Sequence, residues 1–413
     1  MTIQEATAEI AIIGAGPCGL TFARLLEQHG MTDYAVYERD AGRTANRAGG
    51  SLDLRPGSGQ RALEEAGLID EFKRLARYED TVFTIYDTKG KEHLRLGEGR
   101  DAPEIDRLQL QEILLDSVPE DKVRWGHALV DAQLGSDGRP VLTFGNGVKV
   151  SGFKLVVGTD GAWSKVRPLI TPSKPVYTGR TYFETRIQPT NPLYESAISL
   201  LGRGSTSAVG DNHILLSQKQ GDASYRLYLG FQMPEHILRQ GGQYDLSDAD
   251  KVEAARSMLL DDKHYGTWAE SYKQLIRHAT DFRGWSLYSL PAAGLSEGGE
   301  QGWKAVSGVT LAGDAAHLTP PNGEGVNLAM TDALDLAGRI SRWTGLSEGE
   351  RTQDALDAVV REYEAIMLPR GLKSISKGHM MTDIMFAESH EPFVKLLKSF
   401  IQMEGKKETD GGS

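Results

Sequence analysis

The sequence predicts an α/β protein, in which a doubly wound parallel sheet is split by an inserted antiparallel β-sheet and followed by a long C-terminal helix. Near the N-terminus a β-rich run passes through a glycine-rich turn straight into helical spacing. A second strand-then-glycine pattern, at Val309-Thr310-Leu311 and Gly313-Asp314-Ala315, returns late in the chain. Between them lie β-like runs without the helical crossovers that parallel strands need.

The first element is Ala8-Glu9-Ile10-Ala11-Ile12-Ile13, an apolar run suited to a buried parallel strand. It leads into Gly14-Ala15-Gly16-Pro17-Cys18-Gly19, after which Leu20, Phe22, Ala23, Leu25 and Leu26 recur at helical spacing up to Gly30. Tyr34 to Tyr37 is the next strand, which closes one βαβ unit. Ser58 to Leu75 reads as a helix, Thr81 to Leu96 as a hairpin turning at Lys89-Gly90, and Asp106 as a helix start. Short strands are expected at Val123–Trp125, Val141–Phe144 and Leu155–Val157, then at Tyr182–Ile187, His213–Ser217 and Tyr225–Phe231, with a helix at Ser247–Leu260. Leu328 to Arg339 and about Thr352 to Phe400 read as helices.

At 413 residues the chain exceeds what one core usually serves. The pattern places a discontinuous dinucleotide-binding domain at 1–75, 102–172 and 283–345, and a substrate domain at 76–101 and 173–282. A helical region at 346–403 is expected to brace the two through Ala358, Val359, Tyr363, Ile366 and Met367, and 404–413 to be a disordered tail.

Composition removes several classes. With 46 Lys+Arg against 57 Asp+Glu the chain is acidic, which disfavours nucleic-acid binding. No stretch reaches the ~18 apolar residues of a membrane span, and Met1 to Glu9 lacks the apolar core of a secretory signal. A single cysteine, Cys18, excludes internal disulfides and Cys-based zinc sites, and the ten histidines show no H-E-x-x-H or H-x-H spacing, so no metal is expected. The expectation is a cytoplasmic, monomeric protein.

In the first glycine turn, Gly14 makes the tight bend, Gly16 lets backbone approach a pyrophosphate, and Gly19 lets the helix pack on the strand. The helix N-terminus offers free N–H groups to phosphates. Glu38 ends the second strand, about 20 residues on, where a carboxylate accepts ribose hydroxyls and repels a 2′-phosphate, so the site suits FAD or NAD and disfavours NADP. Cys18 reads as a small residue packed beneath the dinucleotide. Two further signatures follow strands: Asp160-Gly161-Ala162-Trp163-Ser164-Lys165-Val166-Arg167, and Gly313-Asp314-Ala315-Ala316-His317 with Pro320-Pro321-Asn322-Gly323-Glu324-Gly325-Val326-Asn327 after it. Asp314 can bind a polyol chain, and the Gly323/Gly325 loop can set N–H groups against a flavin's carbonyl edge. His317, without a second histidine nearby in sequence, reads as a packed, hydrogen-bonded residue.

These three signatures, in this order, resemble those of the FAD-dependent aromatic hydroxylases, the class A flavin monooxygenases, over roughly residues 8 to 370. Val36-Tyr37-Glu38-Arg39-Asp40, the Gly49-Gly50-Ser51-Leu52-Asp53-Leu54 to Gly57-Ser58-Gly59-Gln60 run, Pro103-Glu104-Ile105-Asp106-Arg107 and Gly313-Asp314-Ala315-Ala316-His317-Leu318 are most similar to tetracycline-inactivating monooxygenases. The resemblance implies a Rossmann-like FAD-binding domain and non-covalent FAD. Its contacts would be the Gly14, Gly16 and Gly19 turn at the pyrophosphate, Glu38 and Arg39 on the adenosine side, Arg107 near the ribityl chain and pyrophosphate, Asp314 near the ribityl chain, and Asp160, Gly323, Gly325 and Asn327. It implies NADPH or NADH as a transient co-substrate, O₂ as oxygen source, and an electron-rich polycyclic phenol or enol as acceptor, with tetracycline-like compounds leading and fused-ring secondary metabolites close behind. Glu184, Tyr228, Gly230 and Pro320 are the candidate substrate contacts. In the insert, Tyr225, Leu227, Leu229 and Phe231 would share one strand face and Tyr228 the other, and one such face should roof the flavin.

The match has departures. Glu324 stands where a glutamine is expected, so its side chain should point away from the flavin, and Glu184 stands where a polar amide is expected. A flavin reductase or dehydrogenase without oxygen transfer is a rival reading, as is a flavin-dependent binding protein. A halogenase is disfavoured because no tryptophan has another two positions away.

Overall fold

A computed structural model describes residues 3–45, 49–79, 81–97, 99–298, 300 and 302–399. The tail expected at 404–413 lies outside them. The chain divides into two units: residues 1–76, 105–176 and 288–379, and residues 77–104, 177–287 and 380–413.

The first unit is built on a five-stranded parallel sheet in the order Val309–Leu311, Leu155–Gly158, Ile10–Ile13, Tyr34–Tyr37, Val123–Arg124. Ile10–Ile13 and Leu155–Gly158 are buried along their whole length, as strands covered on both faces must be. The helices Pro17–Gln28 and Gly325–Thr344 pack on this sheet through Leu20, Phe22, Leu25, Met330, Leu336 and Ile340. A second, smaller sheet is ordered Gln4–Glu5, Lys149–Ser151, Pro140–Phe144, Leu129–Leu134.

The expected single helix from Ser58 to Leu75 is two, Gly59–Glu65 and Ile69–Leu75. Gly67 sits between them at φ +69°, a left-handed conformation that ends a helix. The expected C-terminal helix runs Gln353–Met385 and stops, and residues 391–399 form a separate helical stretch. Its buried stripe is Leu356, Val360, Tyr363, Met367 and Ile375, whereas Ala358 and Ile366 are exposed. The sequence reading had included these last two, and the true stripe follows the i, i+3, i+4 repeat from Leu356.

The second unit carries a seven-stranded sheet ordered Thr280–Ser289, Val176–Ile187, Tyr225–Gln232, His213–Lys219, Ser205–Gly210, Phe83–Tyr86, Glu92–Leu96. It is antiparallel where pairing is defined, except that Ser205–Gly210 and Phe83–Tyr86 run parallel. One face buries Phe183, Leu227, Leu229 and Phe231 against the helices Ala249–Leu259 and Glu270–His278, with Trp268 and Tyr272. On the other face Tyr182, Ile214 and Leu287 pack with Met385, Phe386 and Phe393. Among the described residues no helix is long and apolar enough to cross a membrane.

Candidate active site

The three fingerprint glycines divide by what surrounds them. A Cβ on Gly14, already at φ +110°, would meet Thr159 O at 2.7 Å, and one on Gly19 would meet Gly14 O at 2.1 Å. Gly16 faces open space, with nothing within 4 Å. So Gly14 and Gly19 are needed for the turn to close, and Gly16 leaves a cradle at the start of the Pro17–Gln28 helix. The first amides of a helix have no intrahelical partner, and here no capping side chain accepts from them. This is the opening a pyrophosphate needs.

Glu38 is buried at the adjoining strand end. Its Oε2 accepts from the Ala15 amide at 2.7 Å and its Oε1 from the Asp40 amide at 3.0 Å. The carboxylate thus pins the glycine turn, and each oxygen keeps a lone pair for a ribose hydroxyl. Gln111 Nε2 donates to Ala15 O at 3.1 Å from the helix Arg107–Asp116. Arg39 extends into solvent, 74% exposed, and Arg107 is exposed with its aliphatic stem across Gly49, where a Cβ would meet Arg107 Cδ at 2.5 Å.

The mid-chain and late signatures are joined by a residue that the sequence reading quoted but gave no role. Arg167 is 3% exposed. Its guanidinium donates to the carbonyls of Ala315 at 2.7 Å, Ala162 at 2.9 Å, Asp314 at 3.1 Å and Gly161 at 3.3 Å. Burial lowers its pKa to about 10, with Asp160 and Asp314 opposing, so it stays cationic at neutral pH. Asp314 itself is exposed among buried neighbours, open to a polyol. Asp160 anchors the Lys165 amide through Oδ2 at 2.7 Å while Oδ1 is buried without a partner among the described residues, and burial raises its pKa.

Beneath the late motif, Asp332 ties Gly313, His317 and Arg370 together. Cys18 lies under the same turn. A Cβ on Gly313 would be 3.4 Å from its sulfur, and burial, then the Asp332 and Asp314 charges, push the thiol up, which keeps it protonated and inert. The Gly325–Thr344 helix begins with an open Gly325 and no side-chain cap, a second anion-receptive end.

Two expected contacts are engaged by other groups of the chain. The Asn327 side chain is largely committed within the chain: Oδ1 accepts from the Arg55 amide, Ser58 Oγ and the Gly59 amide, and one of the two Nδ2 protons goes to Asp53 O. It fastens the Asp53–Gly59 loop to the helix instead. Gly230 does not face open space either, because a Cβ there would meet the Tyr182 ring at 2.4 Å. Glu324 is paired with Lys377 and with Arg55 at 3.2 Å, two cations that fix its carboxylate. Pro320 is buried, where Gly378 of the long helix packs on it and on Thr319.

In the second unit, cross-strand register sets Glu184 opposite Tyr228. Glu184 Oε1 pairs with buried Arg226, and Oε2 accepts from Trp285 Nε1 at 2.7 Å. The Trp285 side is 44% exposed. Burial and then the Glu184 charge hold the Tyr228 phenol up at about 12, so it is a hydrogen-bond donor at neutral pH. The Tyr225 to Phe231 alternate residues, a candidate roofing face, are instead the unit's packed core.

The sequence pattern of the family described as FAD binding domain matches residues 7–183 and 305–367, more than half of the chain. The monooxygenase penA of Penicillium thymicola is 31% identical over 410 residues, covering 89% of this chain and 93% of the relative. Among solved structures, Klebsiella pneumoniae HpxO complexed with FAD and uric acid superposes with a TM-score of 0.72 at 20% identity, over 97% of this chain and 95% of that one. The tetracycline destructase Tet(55) gives 0.66 at 19% identity, over 92% and 91%. At those identities the structural likenesses establish the fold.

Proposed function

This chain belongs to the FAD binding domain family, whose relatives are FAD-dependent monooxygenases, and on that premise we propose that it hydroxylates a polycyclic phenol or enol with NADPH or NADH and O₂. Bound flavin supplies hydride acceptance and oxygen activation; the chain binds, orients and shields.

The first unit holds FAD. Gly16 and the uncapped helix start receive the pyrophosphate, Glu38 the adenosine ribose, Arg39 and Arg107 the phosphate–ribose region, and Asp314 the ribityl hydroxyls. Gly323 and Gly325 present backbone to the flavin edge, and Arg167 keeps the Asp160 and Asp314 loops in register. The open space at Gly16 supports this assignment.

The substrate reading rests on one observation, the Glu184–Arg226–Trp285 constellation beside Tyr228. Trp285 and Tyr228 offer apolar ring surface to a flat molecule, and Glu184, fixed by two donors, offers a set acceptor for a phenol or enol hydroxyl. A fused-ring secondary metabolite is favoured over tetracyclines. The 31% identity is to the monooxygenase penA, whereas the likeness to the destructase, at 19% identity, lies in the fold alone.

The test is a panel of polycyclic phenols, enols and tetracyclines, in which NADPH or NADH oxidation and product mass are read together. A product heavier by one oxygen atom, formed at the rate of nucleotide oxidation, supports hydroxylation. Nucleotide oxidation without such a product from any member points to the reductase reading.

A further inference from the structure

One side-chain cluster in the second unit has no part in flavin chemistry. Asp87, His93 and His390, each half-buried, place one ligand atom apiece within 4.8 Å of one another. Asp87 follows the strand Phe83–Tyr86, His93 lies on its hairpin partner Glu92–Leu96, and His390 directly precedes the helical stretch 391–399.

The local structure explains why they converge. In the hairpin turn, Asp87 Oδ1 accepts from the amides of Lys89 at 2.9 Å and Lys91 at 3.0 Å, so the carboxylate is fixed. Its Oδ2 is left to meet His93 Nε2 at 2.8 Å. The segment before His390 is pinned by Asp211 N to Glu388 O at 2.8 Å and Asn212 N to Ala387 O at 3.1 Å. Phe393 meets Phe83 edge-on at 6.2 Å, which seats the following turn on the same hairpin. The result lays the His390 ring over His93, with centroids 3.7 Å apart and planes at 32°.

Two imidazoles and a carboxylate are the donor set of borderline divalent ions, zinc foremost. The backbone amides on Asp87 Oδ1 are the outer partners that orient a metal-ligating carboxylate. An Asp87–His93 hydrogen bond does not by itself require a second imidazole delivered from a distant segment. We propose that Asp87, His93 and His390 bind a zinc-class divalent ion that fastens the C-terminal segment to the Phe83–Leu96 hairpin. Coordination opens the His93–Asp87 hydrogen bond onto the ion and tilts His390 further from the stack, and the remaining position takes water. The site was hidden from sequence spacing because its third ligand comes from the far end of the chain.

The test uses the full-length flavoprotein, stripped with chelator and titrated with Zn²⁺ against a chromophoric competitor. Wild type should take up one equivalent. His93→Ala and His390→Ala should each weaken that uptake by about tenfold or more, while His29→Ala, an exposed histidine elsewhere, should not. Co²⁺ added to wild type should give the visible absorption of a low-coordinate site, a reading that needs no variant to fold. Absence of that band, no stoichiometric uptake, or uptake unchanged in both variants would overturn the proposal.

Discussion

The carboxylate of Asp332 accepts from the Gly313 amide at 2.9 Å and from His317 Nε2 at 2.5 Å, so one buried side chain carries both ends of the Gly313–His317 turn. Its other oxygen accepts from Arg370 at 2.8 Å. Burial works against the charge on Asp332, but His317 and Arg370 outweigh it and its pKa is lowered; His317 is correspondingly raised. Replacing Asp332 by Ala leaves the buried His317 imidazole and the Gly313 amide without their shared acceptor, while Arg370 keeps Asp335 at 2.6 Å. We expect a loss of about 3–5 kcal/mol by urea denaturation, together with weaker FAD retention. A variant as stable as wild type would show that the network does not support the turn.

Gly16 and Gly19 should fail in different ways. Gly16→Val fills the open cradle and should weaken FAD binding by roughly tenfold, about 1.4 kcal/mol, while the apoprotein melts as wild type. Gly19→Ala drives a methyl group against Gly14 O and should cost about 1–3 kcal/mol of stability. Apoprotein melting and FAD titration on both variants separate the two, and equal effects would contradict the division.

Arg107 is exposed and leans on Gly49, so its removal should spare the fold. Arg107→Ala should lower FAD affinity by about 1.5–3 kcal/mol, the worth of a hydrogen bond to a charged group. Wild-type affinity would remove Arg107 from the cofactor site.

Glu364 is buried beside Thr310, whose hydroxyl donates to it at 2.8 Å, and burial raises its pKa to about 7. A carboxyl raised in the folded state binds its proton more tightly there than in the unfolded chain. Its contribution is therefore fully present below the unfolded value near 4.5 and lost as pH rises through 7, by roughly 3 kcal/mol in all. Glu364→Gln should gain stability relative to wild type across that window, measured as unfolding free energy at pH 4.5 and 8. A constant difference between the two proteins would refute the assignment.

Much of this was legible in the sequence because it depends on local pattern. The Ile10–Ile13 strand, the three glycines and Glu38 are close in sequence, and each has a steric or charge reason to be where it is. Legibility failed where partners are distant. Asn327 looked available until the Asp53–Gly59 loop was seen to take its carbonyl oxygen and one of its two N–H donors, and Arg167 was passed over because the carbonyls it binds lie partly in another signature. The buried Arg226 that pairs with Glu184 sits on a neighbouring strand, and only register reveals it. Strand alternation separated Tyr228 from Tyr225 and Phe231 correctly, but not which face would be covered by the helices.

Isotope labelling tests the central claim most directly. The purified protein, NADPH or NADH and a substrate found to turn over are incubated under ¹⁸O₂, and the product is weighed by mass spectrometry. The account requires one ¹⁸O atom in the product for each nucleotide oxidised. Substrate conversion with no ¹⁸O incorporated would contradict it and leave a flavin reductase or dehydrogenase.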